Sequence, residues 1–117
     1  KNIINNTNGK KFTVTAGQKV KLTLKHVGVM PKAAMGHNIV ILAAGTDVNK
    51  FAAAAMSAKA EDYVPSAQKA SVIAATKLIG GGESDTVVFK APAPGTYDFI
   101  CSFPGHYAVM KGKFIVE

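Results

Sequence analysis

The segment that most restricts the fold is residues 19–26, where Val20, Leu22, Leu24 and His26 alternate with Lys19, Lys21, Thr23 and Lys25. A repeat of two belongs to a strand with one buried and one wet face, because successive side chains leave a pleated backbone on opposite sides. Such a strand cannot hide its apolar side alone and needs a second layer against it. The alternation returns in residues 86–90, with Val87 and Phe89 on one side. It returns again in residues 96–101, where Tyr97, Phe99 and Cys101 alternate with Thr96, Asp98 and Ile100, and residues 111–117 read as a closing strand. A further strand is expected through Phe12 and Val14, with Ala16-Gly17-Gln18 folding it back onto the next strand as a hairpin. Residues 37–43 are apolar on both sides of the alternation, as in a strand covered on both faces, and His37 is expected to open it.

Between these strands lie turn signals at residues 5–9, 79–83 and 91–95. The Gly80-Gly81-Gly82 run is read as a turn and not as a phosphate loop, since no Gly-Lys-Ser/Thr follows it. Residues 47–60 break the strand pattern: they are rich in alanine, and Asp47 can cap a short helix. Tyr63-Val64-Pro65-Ser66 ends that helix, which makes residues 47–66 an insertion between strands. A chain of 117 residues sustains one hydrophobic core, so residues 1–117 are expected to form a single domain. The expected class is all-β: an antiparallel Greek-key sandwich of two sheets, about eight strands, with one short helix in a connecting flap.

Charge narrows the partners. The formal net charge is +7, and all 14 basic residues are lysine. Arginine supplies the bidentate fork that reads phosphates and guanine edges, so its absence argues against nucleic acid. Seven of the lysines precede the first acid, Asp47, so one part of the surface is expected to be positive, either as a solvated face or to steer an acidic partner. No apolar stretch reaches the roughly 20 residues of a membrane-spanning helix. The start at Lys1, without a signal sequence, reads as a processed chain or an excised domain.

The chemistry gathers in one loop. Cys101 is followed by His106 five residues later and by Met110 four beyond that, with Pro104-Gly105 shaping a tight turn between two strands. Thiolate and thioether are soft donors and imidazole is intermediate; two histidines, one cysteine and a weak axial methionine suit copper in an electron-transfer site. The second histidine is either His26 or His37. His37 is favoured because it lies at a strand end just after Met35-Gly36, where a loop can meet it. His26 continues the inward row of its own strand and is read as a core histidine near the site. Taken singly, a buried cysteine, a histidine and a methionine are ordinary core residues; the pattern carries the reading.

Met35-Gly36-His37-Asn38, Thr76-Lys77-Leu78-Ile79-Gly80 and Cys101-Ser-Phe-Pro-Gly-His106 with Met110-Lys111-Gly112 resemble the azurins, bacterial blue copper proteins. Pro92-Ala-Pro-Gly-Thr-Tyr97 also resembles auracyanin, a related cupredoxin. The resemblance implies His37, Cys101 and His106 as strong copper ligands, Met110 as a distant axial one, and the Gly36 carbonyl opposite it. It implies a cupredoxin-like sandwich, one type 1 copper, Cu(I)/Cu(II), per chain, and a periplasmic electron carrier that is not an enzyme. Three departures stand out: the single cysteine excludes a disulfide, Ile39 replaces a core tryptophan, and Ala75 replaces a histidine. None falls on an expected ligand.

Asn38 is expected to tie the two ligand-bearing segments together, and Phe103 to cover the sulfur. His106 is the expected door for the electron, within an apolar patch of Val29, Met30, Met35, Pro104, Ala108 and Val109. Redox proteins such as c-type cytochromes or a terminal reductase would dock there in small, transient contacts. A copper enzyme would need further histidines that the chain lacks. A copper storage or delivery protein is the alternative from another class.

Overall fold

Residues 19–25 form the strand that their alternation predicts. In this computed structural model, which describes residues 2–5, 11–25, 36–61, 63–103 and 111–117, eight strands and one α-helix are defined. They are β1 (Asn2–Asn5), β2 (Lys11–Val14), β3 (Lys19–Lys25), β4 (Val40–Leu42), α1 (Val48–Met56), β5 (Val72–Ala75), β6 (Ser84–Lys90), β7 (Gly95–Ile100) and β8 (Lys111–Val116). One sheet has the order β1-β3-β6 and the other β2-β8-β7-β4-β5. The chain crosses between sheets at β1–β2, β2–β3, β3–β4, β5–β6 and β6–β7, the Greek-key habit of a sandwich. The expected two-sheet class with one helix is therefore present. Its ladders are not all antiparallel, because β1 pairs with β3 and β2 with β8 in parallel.

The inner faces of both sheets meet in one core. Val20, Leu22 and Leu24 of β3 are fully buried against Ile39, Ile41, Phe99, Phe114 and Val116. Burying a large aliphatic or aromatic side chain contributes about 1.5–3 kcal/mol, and this row supplies most of the force that joins the sheets. Phe89 of β6 and Phe114 of β8 meet edge to face across the layers with ring centroids 5.8 Å apart.

The expected hairpin of residues 12–25 does not form. β2 and β3 belong to different sheets, and the turn between them is a corner of the sandwich. Ala16 N–H donates to Glu117 O and Gly17 N–H to Ala91 O, while Ala91 N–H donates to Gln18 O. The corner's polar groups are thus satisfied by the ends of two other strands, which a hairpin would leave unused. Gly17 sits at φ +78°, a left-handed conformation that glycine adopts without a Cβ penalty.

β4 carries the covered strand of the sequence reading. Ile39 and Ile41 face the main core, whereas Val40 and Leu42 join Phe51 and Ile100 in a second cluster beneath α1. Asp47 caps α1 by accepting from Lys50 N–H at 3.1 Å, as expected. The helix ends at Met56, earlier than residue 60, and 3₁₀ turns follow at Lys59–Glu61 and Ser66–Ser71. Among the described residues no helix is long and apolar enough to cross a membrane.

Candidate metal centre

β4 and β7 run antiparallel with Val40 opposite Ile100 and Ile41 opposite Phe99. Continuing that register by two residues sets Asn38 opposite Ser102, just beyond the end of both strands. There the side chain of Asn38 takes over from the backbone ladder. Its Oδ1 accepts from Ser102 N–H at 2.8 Å, and its Nδ2 donates to Ser102 Oγ at 2.9 Å. The Ser102 hydroxyl in turn donates to Tyr63 O at 2.6 Å. All three residues are buried, so each polar group satisfied here avoids a desolvation cost of about 1–3 kcal/mol.

This clamp aligns the residues on either side of it. Gly36 and His37 precede Asn38, and Cys101 precedes Ser102; all are buried. Cys101 Sγ lies 3.9 Å from the Gly36 carbonyl oxygen, although the two residues are 65 positions apart. His37 does not open β4 as expected. It stands three residues before the strand, fixed by a separate bridge in which His37 and Ile79 exchange N–H···O bonds of 2.9 Å each. Thr76 completes the support: Ile39 N–H donates to its Oγ1, and its own N–H donates to Ile39 O, both at 2.9 Å.

The surroundings of the sulfur pull its protonation two ways. Burial raises the Cys101 thiol above its ordinary pKa, while the backbone N–H groups of Asn38 and Phe103, both directed at the sulfur, favour the thiolate. Amide donors suit a thiolate far better than a thiol, and a buried anion needs a cation beside it. A soft thiolate and an imidazole on neighbouring segments are the donors that a copper ion takes. The residues described here therefore fit such a group.

Phe103 contributes its backbone amide to the sulfur, while its ring packs edge to face on Tyr63 with centroids 5.3 Å apart. Ala55, Tyr63 and Leu78 form a small buried cluster with it, which joins the helical flap to the site. Tyr63 itself has φ +63°, a conformation uncommon for a bulky residue and costly by about 1–3 kcal/mol. Its main chain is held there by Tyr63 N–H donating to Ala58 O and by the Ser102 hydroxyl. Sequence reasoning found Asn38 but missed Ser102 and Tyr63. The extrapolated strand register could have pointed to Ser102; no local signal marks Tyr63.

His106, Met110 and His26 lie outside the described residues, as do Val29, Met30, Met35, Pro104, Ala108 and Val109 of the expected apolar patch. The structure thus brings together Gly36, His37 and Cys101 of the five expected site residues.

A profile of copper binding proteins, plastocyanin/azurin family, matches residues 6–117. Azurin-2 of Alcaligenes xylosoxydans xylosoxydans is 54% identical over 93 residues, which cover 76% of this chain and 70% of that protein. Outer membrane protein H.8 of Neisseria gonorrhoeae is 45% identical over 100 residues, 84% of this chain. The match spans only about half of that protein, 54%. Among solved structures, dithionite-reduced auracyanin from the photosynthetic bacterium Roseiflexus castenholzii superposes with a TM-score of 0.87 at 40% identity, covering 99% of this chain and 95% of that one.

Proposed function

We propose that this chain, which belongs to the plastocyanin/azurin family of copper-binding proteins, carries single electrons between redox partner proteins at one copper site. Members of the family are in general electron carriers and not enzymes, and the same is proposed for this chain. The observation that carries the reading is the approach of Cys101 Sγ and the Gly36 carbonyl, 3.9 Å apart, beside the buried His37. His37, Cys101 and His106 would hold the metal, with Met110 and the Gly36 carbonyl as weak contacts. Copper bound there supplies exchange between Cu(I) and Cu(II).

The chain's own residues keep that exchange fast by not moving. The Asn38–Ser102 clamp and the His37–Ile79 bridge fix the two donor segments from different sides. The amides of Asn38 and Phe103 stabilise negative charge on the sulfur without reorganising. The buried surroundings exclude water, whose reorientation would otherwise accompany each electron. His106 would be the exit, and the apolar residues expected around it would receive partners such as c-type cytochromes or a terminal reductase. The similarity to a protein named for the outer membrane supports a place outside the cytoplasm, in the periplasm.

Titration with copper(II) tests the site directly. An intense blue absorption is expected at one copper per chain, and Cys101→Ser is expected to abolish it. A colourless titration of the folded protein would overturn the reading. Electron exchange with a c-type cytochrome, followed by stopped flow, tests the carrier role: His106→Gly is expected to slow it.

A further inference from the structure

Both sheets turn lysines outward, and they differ in the acid set among them: Lys111 and Lys113 of β8 share their face with Asp98 of β7. On the five-stranded sheet, Lys113 of β8 is paired with Asp98 of β7. On the three-stranded sheet, the outward residues of β3 are Lys19, Lys21, Thr23 and Lys25, and the register sets Lys90, Val88, Thr86 and Ser84 of β6 opposite them. The β3–β6 ladder thus presents lysines and no carboxylate. Asp85, the one acid on β6, is on the inner side with Val87 and Phe89 and accepts from Lys77 N–H at 2.9 Å. Lys19 stands directly opposite Lys90, and Lys21 is its diagonal neighbour, so like charges repel across the strands. Nothing on this ladder relieves them, and between them Val88 is 54% exposed.

We propose that this face docks on an anionic lipid surface. The lysines lie along a strand whose seven residues span roughly 20 Å, and they meet a planar, delocalised negative charge without needing a shaped pocket. A specific protein interface has a different composition: lysine is depleted there, and arginine and aromatic residues are enriched. This chain has no arginine, and the outward positions of the ladder hold no aromatic residue. The attraction acts within about a Debye length, roughly 8 Å at physiological salt, so the face must lie close to the headgroups. Lying flat also leaves the metal centre open. Lys77 binds Asp85 at the Lys25–Ser84 end of the ladder, and Ile79 bridges His37, so that end of the sandwich holds the site. The site then lies at the rim of the docked molecule and not beneath it.

Cosedimentation with vesicles tests this, using equal parts phosphatidylglycerol and phosphatidylcholine against phosphatidylcholine alone. Binding is expected only to the mixed vesicles and is expected to weaken as salt is raised. Lys21→Gln should lower partitioning about fivefold and Lys21→Gln with Lys90→Gln about thirtyfold, with circular dichroism showing an unchanged fold. Lys59→Gln with Lys69→Gln, in the two 3₁₀ turns that follow α1, should bind as the parent does. Equal binding to neutral vesicles, undiminished binding by the ladder variant, or an equal loss in the Lys59/Lys69 variant would overturn the proposal. So would capture of polyglutamate without vesicle binding, which would give the face to an acidic protein.

Discussion

At the scale of single residues, Asn38 and Ser102 act as one unit. Each satisfies the other twice, and the Ser102 hydroxyl passes the connection on to Tyr63. Asn38→Ala leaves the Ser102 amide without its buried acceptor, and a loss of about 1–3 kcal/mol in denaturant unfolding is expected. Ser102→Ala removes the hydroxyl from both Asn38 and the Tyr63 carbonyl. The double variant should lose less than the sum of the two, with a coupling of about 0.5–3 kcal/mol. Strict additivity in that cycle would show that the clamp is not a unit. The sequence marks Cys101 plainly, because it closes an alternating run with Tyr97 and Phe99, and all three are buried. Ser102 and Tyr63 carry no such mark. A serine after a strand and a tyrosine in a loop are common, and what distinguishes these two is contact with residues 39 and 64 positions away.

At the scale of elements, period and capping were readable while partnership was not. β3 stands where its lysines and aliphatics alternate, and α1 begins where Asp47 can cap it. The turn at Gly17 was equally visible, but a reversal does not say which sheet receives the next strand. Only the remote carbonyls of Ala91 and Glu117 decide that. β5 was missed because Val72–Ala75 is short and follows a 3₁₀ segment without alternation. β1 was missed because its four residues pair in parallel with a strand that lies well beyond any local turn. For α1 the cap matters because the helix has only nine residues, too few to be stable without the burial of its own Phe51, Ala52 and Ala55. Asp47→Ala is expected to lower stability by about 0.5–2 kcal/mol, whereas Asp47→Asn, which keeps an acceptor, should lose much less. Equal losses in thermal unfolding would indicate that the charge, and not the cap bond, is what counts.

At the scale of the whole molecule, the proposed site exists only when the sandwich is closed. Gly36 and Cys101 reach each other through the β4–β7 register, and His37 is placed by Ile79, which lies beyond β5. An unfolded chain holds the same side chains far apart, so a metal that needs them together binds the native state in preference. Its binding energy then adds to global stability. With copper at a hundredfold excess over its dissociation constant, the gain is about 2.7 kcal/mol, less whatever affinity the unfolded cysteine and histidines retain. For a domain of this size that corresponds to a rise in Tm on the order of 10 °C. Calorimetry of the protein with chelator and with copper measures it, and the midpoint with copper should climb as the metal concentration is raised. Cys101→Ser, similar in volume and already without the thiolate, should show little of the rise while unfolding cooperatively on its own. A copper-independent Tm in the parent, or the same rise in the serine variant, would separate metal binding from the fold.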